Sequence, residues 1–195
     1  MPIDMLMRNF KFWLLFLGFI ICFSANSQEL RTIEDPPFQR GEVGSYRVFY
    51  DCWLISGITA GVGTISLLDD NVKIRGRNTY HIKVEAKSVG LFNWFFKVRD
   101  IYESWVDTEA IMPWRFYRYQ HEGSYRKEET IEINQYEHWA ESEKKRVEVP
   151  PYVQDIVSGF YYMRTMDFDT AKIDDEYYID FVLDDSVYYS RVIFL

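Results

Sequence analysis

From Ser45 to Leu54 apolar and polar positions alternate, which places Tyr46, Val48, Tyr50 and Cys52 on one face of a strand. Gly57, Gly61 and Gly63 follow and are read as a turn, a bend or bulge, before a β-like segment from Val62 to Leu68. Asp69, Asp70 and Asn71 close that strand. Alternation resumes over Thr79–Ala86, with Tyr80, Ile82, Val84 and Ala86 on one side and His81 on the other. Leu91 to Val106 reads as one long strand, with Phe96, Val98, Tyr102 and Val106 facing one way and Lys97, Arg99 and Glu103 the other.

After Pro113, the segments Trp114–His121 and Tyr125–Ile133 flank Glu122, Gly123 and Ser124, the spacing of a tight hairpin with glycine at the positive-φ position. Glu141 to Arg146 is a charge-rich loop or hairpin end. One helix is predicted, over Tyr152–Met166. Pro150 and Pro151 lead into it, Asp155 lies near its positive end, and Val153, Ile156, Val157, Phe160 and Tyr161 or Met163 recur at helical spacing. Tyr177–Leu183 and Val187–Leu195 form a last hairpin through Asp184, Asp185 and Ser186. The prediction is a β-dominated α+β domain over 43–195: a curved antiparallel sheet or open half-barrel packed on one main helix. Its apolar last strand would present an open edge, so further C-terminal strands are expected.

The N-terminal segment has a different pattern. Arg8 and Lys11 precede an apolar run, Phe12–Phe23, and Ser24, Ala25, Asn26 and Ser27 supply small residues, so residues 1–27 read as a cleavable secretory signal. The run is shorter than the roughly 20 residues that span a bilayer, which makes a permanent transmembrane anchor the weaker reading. Ile21 before Cys22 argues against lipidation at that cysteine. Residues 28–42, with Pro36 and Pro37, read as an extended leader. Export to the periplasm or outer envelope follows from this reading, and Cys52 would then be the one cysteine left, a buried small hydrophobe or a reactive thiol.

Composition sharpens the fold class. Fifteen Tyr, fifteen Phe and six Trp make 18% of the 195 residues aromatic, an excess that suits pleated, half-buried surfaces. The formal net charge of -8 disfavours nucleic acid as a partner, because phosphate contacts need clustered Lys and Arg.

Chemistry is sparse. His81, His121 and His138 are too scattered for a zinc site, and no metal or other cofactor is expected. Ser158 precedes Gly159 on the helix rather than on a nucleophile elbow. The acidic run from Asp167 to Glu176 fails as an EF-hand, because Lys172 and Tyr178 stand where glycine and glutamate are needed. Arg99, Asp100, Glu103 and Arg164 form a candidate functional cluster, being charges embedded in aromatic sequence; a salt-bridged sheet surface is the plainer reading.

The stretches FFKVRDIYESWVD (Phe95–Asp107) and VQDIVSGFYYMR (Val153–Arg164), with YRVFYDCWLISGITAGVGTISL before them, resemble the DUF3108 family of exported bacterial proteins. The resemblance covers about residues 41–195. It implies a curved antiparallel sheet around a helix, in a family whose members carry further C-terminal strands and have no assigned activity, so it supplies no catalytic residues. Three functions compete. A binding module would hold a lipid or other apolar ligand on an aromatic concave face, unless those aromatics simply fill the core. A cell-envelope assembly or structural partner would use the charged row and the open edge. A hydrolase is third, since no nucleophile and base pair is legible.

Overall fold

In the computed structural model, residues 29–52 and 55–195 are described; the side chains of residues 50–52, 55 and 56 are not. The signal segment and Cys22 lie outside these residues, as does the Cys52 side chain. Residues 31–195 form one compact unit.

The described residues form eleven strands and two helices. They are β1 (Val43–Cys52), β2 (Ile55–Leu68), β3 (Lys73–Ile74), β4 (Arg77–Ser88), α1 (Gly90–Phe95), β5 (Arg99–Asp107), β6 (Pro113–Glu122), β7 (Tyr125–Asn134), β8 (Trp139–Glu141), β9 (Arg146–Glu148), α2 (Ile156–Met163), β10 (Glu176–Leu183) and β11 (Ser186–Ile193). The main sheet is open and antiparallel, ordered β1-β2-β4-β5-β6-β7-β8-β9, with β3 beside β4; β10 and β11 make a separate hairpin. This is the β-dominated open sheet expected.

Three local readings are corrected. Leu91–Val106 is not one strand: residues 90–95 turn as α1, a helix with no buried residue, and β5 begins at Arg99. Gly90 makes the break possible, since its φ of 55° is left-handed backbone that a side chain would strain. The glycine-rich segment is strand rather than turn. Gly61 and Gly63 sit inside β2, opposite Val48 and Tyr46, while register shifts fall between Val48 and Phe49 and again after Tyr50. The helix begins later than its periodicity suggests: Val153 packs in the core ahead of it and Asp155 is its N-cap. At that cap Asp155 accepts from the backbone N–H groups of Val157 and Ser158, and the Ser158 hydroxyl accepts from the Asp155 N–H, a reciprocal capping box.

The core lies between the concave face of the sheet and a cover made by α2, β10 and the segment before β1. Leu67, Ile82, Val106, Phe116, Ile131 and Ile133 point inward from successive strands and meet Val157 and Tyr161 of α2, Val182 of β10 and Phe38. Gln154 ties the cover together: its N–H donates to Asp180 O and its carbonyl accepts from Val182 N, both at 2.8 Å. Residues 31–42 lie across this cover, with the Arg31 guanidinium over the rings of Tyr152 and Tyr162 and the Ile33 N–H donating to Glu109 O.

Candidate functional site

The cover does not reach the whole concave face. Register places Gly61, Gly63 and Ile65 of β2 beside Ser88, Ala86 and Val84 of β4, all facing inward. Alternate positions of a strand share a face, so the small residues among them form a depressed strip along the sheet. Over Ile65, Val84 and Tyr102 that strip is roofed by Ile156, Val157, Phe160 and Tyr161, enclosing about 360 Å³. Beyond the helix it continues as a cleft of about 310 Å³, floored by Ala60, Gly61, Gly63, Ala86 and Ser88 and walled by Tyr46 and Val48 on one side and Phe92, Phe96 and Val98 on the other.

Glycine and alanine make the floor because a larger side chain would stand where the void is. A Cβ at Gly61 would lie 3.1 Å from the Lys87 carbonyl oxygen, and one at Gly63 3.5 Å from that of Glu85. The walls are apolar, and the volume lies at the lower end of the range of about 300–1,000 Å³ usual for small-molecule sites.

Polar groups on the concave face are engaged in structural bonds. Asp155 is fully buried, and burial pushes its carboxyl up to about 6 against hydrogen bonds from Ser104 Oγ at 2.6 Å and from the Ser158 and Val157 N–H groups. Arg118 and Glu129 are paired in the interior, and Asp184 from the β10–β11 turn joins Arg118 and Lys127. At the other end of β5, Asp107 accepts from Arg77 at 2.7 and 2.8 Å, from the Glu109 and Ala110 N–H groups and from the Trp114 indole. Burial alone would raise its pKa, but these donors outweigh burial and hold it below the ordinary carboxylate range.

The four charges singled out from the sequence do not meet at one place. Arg99 and Asp100 line a second depression of about 240 Å³ with Lys87, Glu85, Thr64 and Tyr119, although they leave β5 on opposite faces. Asp100 is buried and accepts from the His121 N–H, and Arg99 donates to the carbonyls of Ser88 and Val98. Glu103 lies farther along the convex face and faces His81 Nε2 at 2.8 Å. Arg164 sits at the end of α2, where it pairs with Glu42 and lies over Phe38 and Tyr161.

Both ring nitrogens of His81 face carboxylates, Asp70 on Nδ1 and Glu103 on Nε2, and the ring stacks on Trp105. That leaves neither nitrogen to serve a nucleophile. Ser158 is held in the helix cap. Among the described residues no group of three or more His, Cys, Asp or Glu is arranged to hold a metal ion, and no helix is long and apolar enough to cross a membrane.

Sequence reasoning missed the cleft. The alternation of Thr79–Ala86 puts Ala86 on one face with Tyr80, Ile82 and Val84, but nothing local shows that Gly61 and Gly63 pair beside it. The family model described as "Protein of unknown function (DUF3108)" matches residues 45–195. No curated protein and no solved structure matches the chain.

Proposed function

The chain belongs to the DUF3108 family, and on that premise we propose that it is an exported, non-enzymatic module that binds an apolar ligand of the acyl-chain type in the concave cleft. The observation that carries this reading is the floor of Gly61, Gly63, Ala86 and Ser88 beneath the apolar walls of Tyr46, Val48, Phe92 and Phe96. A sheet face that only had to cover a core would fill such a strip with branched side chains. Export is supported by Arg8, Lys11 and the run Phe12–Phe23, the layout of a secretory signal.

The experiment is a titration with a fatty acid bearing an environment-sensitive fluorophore, on the wild type and on Ala86→Trp, whose indole would occupy the cleft. Saturable binding that Ala86→Trp weakens at least tenfold, at unchanged thermal stability, supports the reading. Equal binding by both proteins, or none by the wild type, overturns it. Mass spectrometry of the protein expressed with its own N-terminus tests export: the mass should lack about residues 1–27.

A second reading, an assembly partner at the cell envelope, is favoured by β11. Among the described residues it pairs with β10 alone, and Tyr188, Tyr189, Val192 and Ile193 are exposed along it. Crosslinking in intact cells that traps a stoichiometric envelope protein through β11 would favour it over ligand binding.

A further inference from the structure

The end of the sheet that carries α1 combines two features that the interior does not account for. The first is a row of cations on the convex face. Register aligns Arg47 of β1 with Val62 of β2, Val62 with Lys87 of β4, Lys87 with Arg99 of β5, and His121 of β6 with Arg126 of β7. Ile101 stands opposite Tyr119, and two residues on, the same alternation brings Arg99 alongside His121. Lys97, whose carbonyl accepts from the Gly123 N–H, adds a cation at the β6–β7 turn.

Among the described residues none of Arg47, Lys87, Lys97, Arg99 and Arg126 is in an ion pair, whereas the cations deeper along the sheet, Lys83, Arg115, Arg118 and Lys127, all are. The carboxylates nearby are Glu85 and Glu128 in the next row of the same face, Glu122 and the buried Asp100. The cations are felt locally: His121 is held below its ordinary value by desolvation first, then by Arg126, Lys97 and Arg99. A positive row is conspicuous on a chain of net charge -8.

The second feature is the aromatic surface of α1 and of Phe96, the residue that ends it. Trp94 is 77% exposed, Phe95 70%, Leu91 59% and Phe96 53%, and the helix buries none of its residues. Tyr46, Val48 and Phe49 continue the exposed apolar surface on β1. Exposed Trp and Phe beside Lys and Arg suit the bilayer interface, where rings reach the acyl boundary while cations meet lipid phosphates.

We infer that this end of the sheet docks on the surface of an anionic phospholipid bilayer, with Leu91, Trp94 and Phe95 entering the interface and Arg47, Lys87, Lys97, Arg99 and Arg126 contacting headgroup phosphates. The inference goes beyond ligand binding and stands without it, since it uses other residues. The two are spatially compatible: Phe92 of α1 and Phe96 just after it also wall the cleft, so docking would set the cleft mouth against the membrane.

The test is flotation of the purified protein with vesicles containing phosphatidylglycerol and with vesicles of phosphatidylcholine alone, together with fluorescence quenching by brominated lipid. Wild type should float with the anionic vesicles, and binding should fall steeply with salt. Lys97→Glu with Arg126→Glu should weaken it by roughly tenfold or more. Trp94→Phe should remove most of the quenchable emission, and Trp94→Ser with Phe95→Ser most of the binding, while thermal stability holds because neither side chain is buried. Ala86→Trp should float as wild type does, so a failed cleft and a failed membrane surface are told apart. Absence of flotation, equal binding to neutral vesicles, or indifference to both double variants overturns the inference; the first would point instead to an acidic protein partner.

Discussion

Gly159 of α2 packs directly against the ring of Phe181 on β10, so that a Cβ at residue 159 would overlap the ring and lie 2.9 Å from its Cζ. The missing side chain is what lets the helix and the β10–β11 hairpin close over the sheet. In an exposed helix, alanine would be favoured over glycine by up to about 1 kcal/mol. Here Gly159→Ala is expected to destabilise by about 1–3 kcal/mol, because overpacking outweighs propensity. Denaturant unfolding of Gly159→Ala, Phe181→Ala and the double variant checks it: the alanine at 159 should be harmless once the ring is gone.

Asp155 makes stability depend on pH in an unusual direction. Its folded pKa of about 6 lies above the ordinary 3.8, so the folded state holds the proton more tightly than the unfolded chain. Its contribution is therefore fully favourable below pH 3.8 and is lost as pH rises through about 6, with a total change on the order of 3 kcal/mol. Asp155→Asn keeps an acceptor for the helix N–H groups without a charge to bury. Relative to wild type, the variant should gain stability between pH 4 and 7, as measured by chemical unfolding across that range. A constant difference would mean that Asp155 does not titrate there.

Asp107 acts with the opposite sign. Its folded pKa is depressed, so its contribution is present above the unfolded pKa and is lost as pH falls through the folded one. Asp107→Ala would leave the Trp114 indole without its acceptor and Arg77 with Glu109 alone, and is expected to cost roughly 3 kcal/mol at neutral pH. Its acid unfolding should also begin less steeply than that of the wild type, which proton-linked denaturation curves would detect.

The Arg118 network gives an ordering. Glu129 is buried with Arg118, whereas Asp184 is half exposed. Glu129→Ala should cost roughly 3 kcal/mol, because it strips a buried guanidinium. Asp184→Ala should cost under about 1 kcal/mol, because solvent screens that pair. Hydrogen exchange should nevertheless show faster opening of β10 and β11 in Asp184→Ala, since that contact joins their turn to β6. Equal costs would show that the hairpin, not the interior pair, holds Arg118 in place.

Much of the sheet was legible because its strands alternate cleanly. Thr79–Ala86 and the hairpin around Gly123 follow directly from side-chain period and turn chemistry, and Gly123 takes the positive φ expected of it. Two stretches defeated that logic. Phe92, Trp94 and Phe95 are good strand residues, yet they lie in a short exposed helix, so local propensity gave way to the break at Gly90. In β2, glycines that ordinarily interrupt a strand are paired on both sides, and that pairing overrides their intrinsic preference.

The candidate site was harder to read than the fold because it is made of absent side chains. Arg99, Asp100, Glu103 and Arg164 stand out in the sequence as charges among aromatics, but the two faces of β5 and the end of α2 distribute them to different neighbours. Asp100 and Glu103 point to opposite faces of one strand. Gly61 and Ala86 carry no chemical signal of their own and become a floor only when β2 and β4 align.

That floor also sets a length scale. If the cleft holds a ligand as proposed, its reach along the sheet would be limited by the first residue large enough to stand up from the strip, and Gly61, Gly63 and Ala86 are each a single substitution from becoming such a stop. Valine or leucine at Ala86 would shorten the cleft by a strand pleat; at Gly63 it would do so in contact with the Glu85 carbonyl, and at Gly61 the Lys87 carbonyl of β4, 3.1 Å from the added Cβ, would have to give slightly. The strip would then act as a ruler whose marks are side chains, and chain-length preference would change by discrete steps rather than by gradual loss of affinity.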